Sequence, residues 1–295
     1  MTFLSRSSSL PHDPWVRRVD HRRMTTVTDH DQSNHDWRDA GEGWGHAAND
    51  WACLYEHYSL EVMTAMFDAV GLGKGVRVLD IACGSGAAMR HAVGRGATVA
   101  GIDASAQLLE IARRRVADAD IRLGSMFELP WRDHAFDAIV SINGIWGGCQ
   151  AALDEARRVL QPGGRIAISF WGNGRPLDLR PVFKVFARHA PVEHLTSMRQ
   201  LNNISEPGVA EAMLKASGFE ILDRGARISV VEWPDEDLAW RAVCSVGPAA
   251  PALRHGDHEA IRRDVLDVLA ECRDDRGMYR FRNDHQYVIA RTPPR

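Results

Sequence analysis

Val76-Arg77-Val78-Leu79-Asp80-Ile81-Ala82-Cys83-Gly84-Ser85-Gly86-Ala87-Ala88-Met89-Arg90, followed by Thr98-Val99-Ala100-Gly101-Ile102-Asp103, decides how the rest of this chain is read. Val76, Val78, Leu79 and Ile81 form a short apolar run that breaks at Gly84-Ser85-Gly86. Runs of that length between turn residues read as buried parallel strands. Ala87 to Val93 has helical composition and stops at Gly94 and Gly96, and a second run, Val99 to Ile102, ends on Asp103. Strand, glycine loop, helix, strand and terminal acid make the first half of a nucleotide-binding βαβ unit.

The details of the loop choose the ligand. A dinucleotide site wants G-x-G-x-x-G, whose third glycine lets the helix pack close to the strand; here that position is Met89. Asp80 stands on the strand just before the loop. A carboxylate beside the ligand suits a cation better than a pyrophosphate, because like charges repel. S-adenosylmethionine carries an ammonium and a sulfonium and no phosphate. Asp80 can attract its amino-acid end, Gly84 and Gly86 allow close backbone approach, and Asp103 can accept both ribose hydroxyls. A nicotinamide-dependent oxidoreductase on the same type of sheet is the rival that Met89 and Asp80 weigh against.

At these residues the chain resembles the class I S-adenosylmethionine-dependent methyltransferases, in particular the branch acting on small molecules that includes the ubiquinone and menaquinone biosynthetic enzymes. Asp80 to Gly86 is similar to the family's first motif and Gly101-Ile102-Asp103-Ala104-Ser105 to its ribose motif. Leu123-Gly124-Ser125-Met126 with Leu129-Pro130-Trp131 stands where the family has its adenine-contacting loop. Phe136 to Ser141 and Val159-Leu160-Gln161-Pro162-Gly163-Gly164 match the fourth strand and the turn before the fifth. The resemblance spans about Trp44 to Arg291. It implies a Rossmann-like α/β fold: a seven-stranded, mostly parallel sheet with helices on both faces, an antiparallel last strand and a helical lid. It implies S-adenosylmethionine as cofactor, held by Asp80, Ala82, Gly84, Gly86, Asp103, Ala104, Ser125, Met126 and Asn143. The family commonly has an aspartate where Ser125 stands; a serine hydroxyl still accepts a hydrogen bond from adenine, more weakly than a carboxylate.

Composition sets the outer limits. A chain of 295 residues can bury a full core as one large domain with a cap. Its 45% hydrophobic and 25% charged residues are ordinary for a soluble protein. A net charge of −3 gives no electrostatic reason to expect nucleic acid or an anionic membrane as partner. Cys53, Cys83, Cys149, Cys244 and Cys272 are scattered and odd in number, and read as free thiols of a reducing, cytoplasmic compartment. Lysine occurs only at 74, 184 and 215, an arginine bias that suggests a GC-rich bacterial genome. Residues 1–35 carry Ser-rich and Arg-rich pieces without an apolar core, and read as a disordered extension, with Met24 as an alternative start. The domain expected is 36–295, with lid segments at about 44–60 and 172–215.

Asn49 is expected to cap a helix through Trp51, Leu54 and Tyr55, and Ser59 another that stops at Gly71. Ser105 is expected to cap the helix after Asp103, and Pro181 suits a first helical turn. Ser205 reads as the cap of a helix ending near Gly218; Phe219–Ile221 and Ile228–Val231 read as strands, 235–246 and 258–272 as helices, and Tyr287–Ala290 as the last strand.

Ligands of open α/β sheets sit beyond the carboxyl ends of the strands. Asn143, after the fourth strand, should therefore border the transferred methyl, with Trp146 and Trp171 as walls of the acceptor site. In the resembling family the first lid segment covers the cleft, which adds Tyr55. Each of these aromatics has packing as its rival reading. The absence of N/D-P-P-Y after the fourth strand argues against the branch that methylates DNA bases or glutamine amides. The expected reaction is in-line displacement at the sulfonium methyl by a small, apolar or aromatic acceptor, with the protein supplying alignment and dryness. His57 and His189 are candidate bases, each with a surface or packing role as its rival. No catalytic base is assigned, no metal site is expected, and a non-catalytic S-adenosylmethionine-binding protein is the alternative.

Overall fold

The computed structural model describes residues 37–172, 179–192 and 202–294. The extension expected at 1–35 lies outside them, as do 173–178 and 193–201 of the second lid segment. Seven strands form one sheet in the order β3-β2-β1-β4-β5-β7-β6. They are β1 Arg77–Ile81, β2 Thr98–Asp103, β3 Asp120–Leu123, β4 Phe136–Ile142, β5 Leu160–Trp171, β6 Glu220–Trp233 and β7 Tyr279–Arg291. The pairings among the first five are parallel, and β7 runs antiparallel to β5 and to β6. The expected fold, antiparallel last strand included, is the observed one. Strand order reverses between β1 and β4, so the crevice beyond their carboxyl ends is the ligand position of such sheets.

Alternation along β1 splits the core in two. Leu79 and Ile81 face α5 (Gln150–Val159) and α7 (Val209–Ala216). Val78 faces α2 (Leu60–Val70), α3 (Ala87–Gly94) and α4 (Ala106–Arg115). Asp80 shares the second face and is only 3% exposed. Each fully buried Leu, Ile, Phe or Met contributes about 1.5–3 kcal/mol of apolar transfer, and Met66, Phe67, Leu79 and Leu153 are all in that state. A third cluster caps the carboxyl ends. There Tyr55, Tyr58 and Trp233 meet α6 (Arg180–His189), α8 (Glu236–Cys244), α9 (Ala250–His255) and α10 (His258–Ala270).

Several helix ends follow the sequence signals. Gly71 closes α2 in the left-handed region at φ 72°. Ser105 accepts the Leu108 amide at the start of α4, and a proline opens α6.

Four expectations are corrected; the first is Ser59, which starts α2 without a side-chain cap and donates its hydroxyl to the Glu56 carbonyl at 2.9 Å. Asn49 caps nothing: Ala48–Asp50 is one helical turn without a side-chain cap, followed by a π turn, Trp51–Tyr55, and a 3-10 turn, Glu56–Ser59. The wide turn stacks Trp51 on Tyr55 with centroids 5.1 Å apart, so ring packing overrides regular helix geometry. Ser205 is not a cap either. Gly208 occupies that place before α7, and the Ser205 hydroxyl donates to the Trp171 carbonyl at 2.5 Å. The two strand pieces around 219–231 are one strand, β6, bulged between Ile221 and Asp223. Its middle is exposed and polar, so pairing with β7 supplies the continuity that no apolar pattern announces.

Candidate functional site

The chain turns sharply after β1. Ala82, Gly84 and Gly86 all lie in the left-handed region, at φ 59°, 54° and 80°. Gly86 precedes α3, and a Cβ there would stand 3.0 Å from Ala112 of α4. Met89, at the position of the missing third glycine, is buried, and a Cβ on Gly101 of β2 would meet its sulfur at 2.6 Å. Close helix–strand packing is thus kept by exchanging sizes: the glycine sits on the strand and the bulk on the helix.

Two carboxylates flank this bend. Asp103 accepts the Gly84 amide and the Ser105 amide, each at 2.8 Å, leaving lone pairs on both oxygens. Asp80 has a buried oxygen, Oδ2, without a hydrogen-bond partner. Burial lifts the Asp80 carboxyl well above the ordinary carboxylate range, and Asp103 adds to the lift. Asp103 is also raised by burial, against the pull of its backbone donors. A buried ionised carboxylate without a partner costs several kcal/mol. This pair therefore fits a ligand that brings positive charge and hydroxyl donors, and repels one that brings phosphate.

A clamp absent from the sequence reading ties the 3-10 turn Glu56–Ser59 to the glycine loop. Glu56 of the 3-10 turn accepts from the Ser85 hydroxyl, and Arg115 of α4 donates to Glu56 at 2.5 Å. The same guanidinium reaches Ser85 Oγ at 3.0 Å, and the Ser85 and Ala52 carbonyls at 3.2 Å. Burial raises the Glu56 carboxyl, with Ser85 and Arg115 opposing. On the other side of the bend, α1 (Trp37–Gly45) lies directly on the ribose motif. A Cβ on Gly41 would be 2.0 Å from the Ala104 carbonyl, and one on Gly45 2.6 Å from Ser105 Oγ. The Ala104 backbone is thus covered by helix α1.

Ser125 turns its hydroxyl onto its own turn, accepting from the Phe127 amide at 3.2 Å. Met126 and Trp146 both pack, partly buried, against the core cluster of α5 and α7. Tyr55 and Trp171 instead belong with the cap cluster, so the three proposed acceptor walls fall into two groups. His189 of α6 pairs with Asp264 of α10 at 2.9 Å, a helix-to-helix tie. His57 is exposed as a residue, and partial desolvation of its ring lowers its pKa.

At the carboxyl end of β4, Asn143 is in the left-handed region at φ 53°. Its amide hydrogen goes to the Ser169 carbonyl at 3.1 Å. Its side chain bridges two residues the sequence reading missed: Nδ2 donates to Tyr58 Oη at 2.9 Å, and Oδ1 meets His285 Nε2 at 3.0 Å. Tyr58 lies against Trp171 with ring centroids 4.8 Å apart and against Tyr55 at 5.4 Å. Register places His285 beside Trp171, and it is fully buried. Among the described residues no group of three or more His, Cys, Asp or Glu could hold a metal ion, and no helix is long and apolar enough to cross a membrane.

Comparison with known proteins adds a second line. A family model described as a methyltransferase domain matches residues 79–168. A demethylmenaquinone methyltransferase of Renibacterium salmoninarum is 31% identical over 183 residues, which cover 61% of this chain and 69% of that protein. An uncharacterized protein of Mycobacterium tuberculosis is 36% identical over 131 residues, 42% of this chain and 48% of its own length. The chain therefore spans about half the length of that curated relative. Among solved structures, Haemonchus contortus phosphoethanolamine N-methyltransferase 2, in complex with phosphomonomethylethanolamine and S-adenosylhomocysteine, is similar with a TM-score of 0.54 at 20% identity. That likeness covers 87% of this chain and 60% of the other, and carries the fold alone.

Proposed function

The chain belongs to the class I S-adenosylmethionine-dependent methyltransferases, and from that premise we propose that it methylates a small, apolar or aromatic acceptor with S-adenosylmethionine as donor. The observation that carries the reading is the buried, unpartnered oxygen of Asp80 beside the Gly84–Gly86 bend. Asp103, across the bend, is met by two backbone amides, whereas the fold offers Asp80 Oδ2 no donor among the described residues. When bound, S-adenosylmethionine supplies an electrophilic methyl on a positively charged sulfur.

The residues then divide the work. Asp80 attracts the ammonium, and Asp103 orients the ribose hydroxyls with its remaining lone pairs. Ala82, Gly84 and Gly86 keep the backbone bare, while Ala104, Ser125 and Met126 border the nucleoside. Glu56 and Arg115 shut the lid over the loop and exclude water, which matters because alignment and dryness are the main catalytic resources of such a transfer. Asn143, at the end of β4, separates the donor side from the acceptor side. Tyr55 and Trp171 offer an apolar flank on the cap side and Trp146 on the other.

Calorimetry with S-adenosylhomocysteine and with NADPH tests the donor half. Tight binding of the first and none of the second is expected; the reverse ends the reading. Mass spectrometry of small aromatic and phenolic acceptors incubated with isotopically labelled S-adenosylmethionine tests turnover. A second reading, a non-catalytic S-adenosylmethionine-binding protein, is favoured by one observation: Tyr58, Trp171 and His285 pack ring on ring at 4.8–5.6 Å. Labelled product from any acceptor removes it.

A further inference from the structure

We propose that Tyr58 orients the acceptor: its hydroxyl, aimed through Asn143, His285 and Ser229, donates a hydrogen bond to an oxygen carried by a planar aromatic acceptor. The proposal rests on the methyl-transfer reading of the cleft and adds the acceptor's chemistry to it.

Asn143 donates from Nδ2 to Tyr58 Oη at 2.9 Å, so the atom it presents to His285 is its oxygen. An amide oxygen only accepts, hence His285 carries its hydrogen on Nε2. The other ring nitrogen, Nδ1, then accepts from the Ser229 hydroxyl at 3.0 Å. Ser169 Oγ, 3.1 Å from Nε2, lies on the same side as the Asn143 oxygen. The polar groups form a line with one direction: Ser229 to His285 to Asn143 to Tyr58.

His285 holds that direction because it does not titrate near neutral pH. It is completely buried, and burial alone pushes its pKa down to about 3. No carboxylate or cation is among its hydrogen-bond partners, which are Asn143, Ser169 and Ser229. With both nitrogens engaged it is a positioning residue and not a proton acceptor for the substrate. Tyr58 likewise stays a phenol, since burial and the negative Glu56 both raise its pKa.

The line ends on an unspent donor. Tyr58 Oη accepts from Asn143, and no acceptor for its own proton is found among the described residues. Tyr55, one turn earlier with its ring 5.4 Å away, has a buried hydroxyl with no partner at all. Buried donors left unspent are unfavourable, and an oxygen-bearing ligand would satisfy them. The surroundings are aromatic: Trp171 packs on the Tyr58 ring at 4.8 Å and Tyr55 at 5.4 Å, and rings favour a flat aromatic neighbour.

The test uses the full chain saturated with S-adenosylhomocysteine and two flat probes, 2-naphthol and 2-methylnaphthalene, titrated by calorimetry. Wild type should prefer the naphthol by about tenfold, the value of one hydrogen bond that a matched site makes. Tyr58→Phe should bring that ratio to about one while S-adenosylhomocysteine affinity stays within about twofold, which also shows that the variant is folded. Ser229→Ala, which touches the probe nowhere, should lower the ratio by a smaller factor. A ratio unchanged in Tyr58→Phe overturns the proposal, as it would if the Asn143 amide were turned so that Tyr58 donates to it. Equal affinity of wild type for both probes, or binding of neither, also overturns it. Failure of wild type to bind S-adenosylhomocysteine would instead sink the methyl-transfer reading beneath it.

Discussion

The carboxylate of Asp103 stands 2.8 Å from the amide nitrogen of Gly84, so the last residue of one strand holds the bend that follows its neighbour. A second oxygen of the same group takes the Ser105 amide at 2.8 Å. Shape of the loop and the charge proposed to meet the ribose therefore reside in one side chain. Asp103→Ala should lower S-adenosylhomocysteine affinity by about a hundredfold and unfolding stability by about 1–3 kcal/mol, the cost of orphaned buried donors. Calorimetry and urea unfolding read the two effects separately.

Asp80→Asn should separate stability from binding. Burial holds this carboxyl well above its ordinary range, so ionising it in the ligand-free protein is unfavourable. The neutral amide removes that burden and should raise the melting temperature without ligand. The stabilisation that saturating S-adenosylhomocysteine confers by linkage should shrink sharply. A variant with an unchanged ligand-induced shift would place Asp80 outside the donor site.

Arg115→Ala should be worse than its removal of charge suggests. Glu56 and Arg115 are 13% and 21% exposed at the side chain, so the surviving carboxylate is left in a poor solvent. About 3–5 kcal/mol is the usual loss when one partner of a buried pair is deleted. Adding Glu56→Gln to Arg115→Ala should recover part of it. A double-mutant cycle by urea denaturation gives the coupling.

His285 predicts an acid-sensitive fold. Its folded pKa of about 3 lies below the unfolded value of 6.5. Below pH 6.5 the unfolded chain therefore takes up a proton that the folded chain refuses. Its part of the stability is complete above that pH and is lost as pH falls, by up to about 1.4 kcal/mol per unit until the folded pKa is reached. Asp80 and Asp103, held high, act in the opposite sense: their part is complete below the ordinary carboxylate pKa and declines as pH rises above it. Unfolding free energy measured against pH should show a shallower acid limb in His285→Asn than in wild type.

Gly41→Val should pry the first helix from the ribose motif, because any Cβ there would collide with the Ala104 carbonyl at 2.0 Å. Backbone against backbone leaves no flexible end to yield. Both the melting temperature and the affinity for S-adenosylhomocysteine should fall, and a helix that merely decorates the fold would change neither.

The glycine bend and the two carboxylates beside it were legible because their spacing is local. Asp80, Gly84, Gly86 and Asp103 declare themselves by spacing along one βαβ unit, and even Met89, the misfit, is explained by the glycine at 101 on the adjacent strand. Glu56, Arg115, Tyr58 and His285 were not legible, since each acquires its meaning from a residue far away in the chain. Glu56 and Arg115 meet only when the lid turn folds over α4. His285 sits in Arg282-Asn283-Asp284-His285-Gln286, a polar stretch without strand alternation, and only the register with β5 brings it beside Trp171. The π turn at Trp51–Tyr55 has no local signal either, because its cause is the stacking of rings.

The reversed strand β7 lies between β5 and β6, although it is made after both. On a ribosome the glycine loop and Asp103 emerge early, and β6 has no neighbour to join until Tyr279–Arg291 has been synthesised. A nascent chain could thus form the bend held by Asp103 long before His285 is made to meet Asn143. The order of translation separates the glycine bend from the Asn143–His285 bridge, and the inserted strand is the last component to join them.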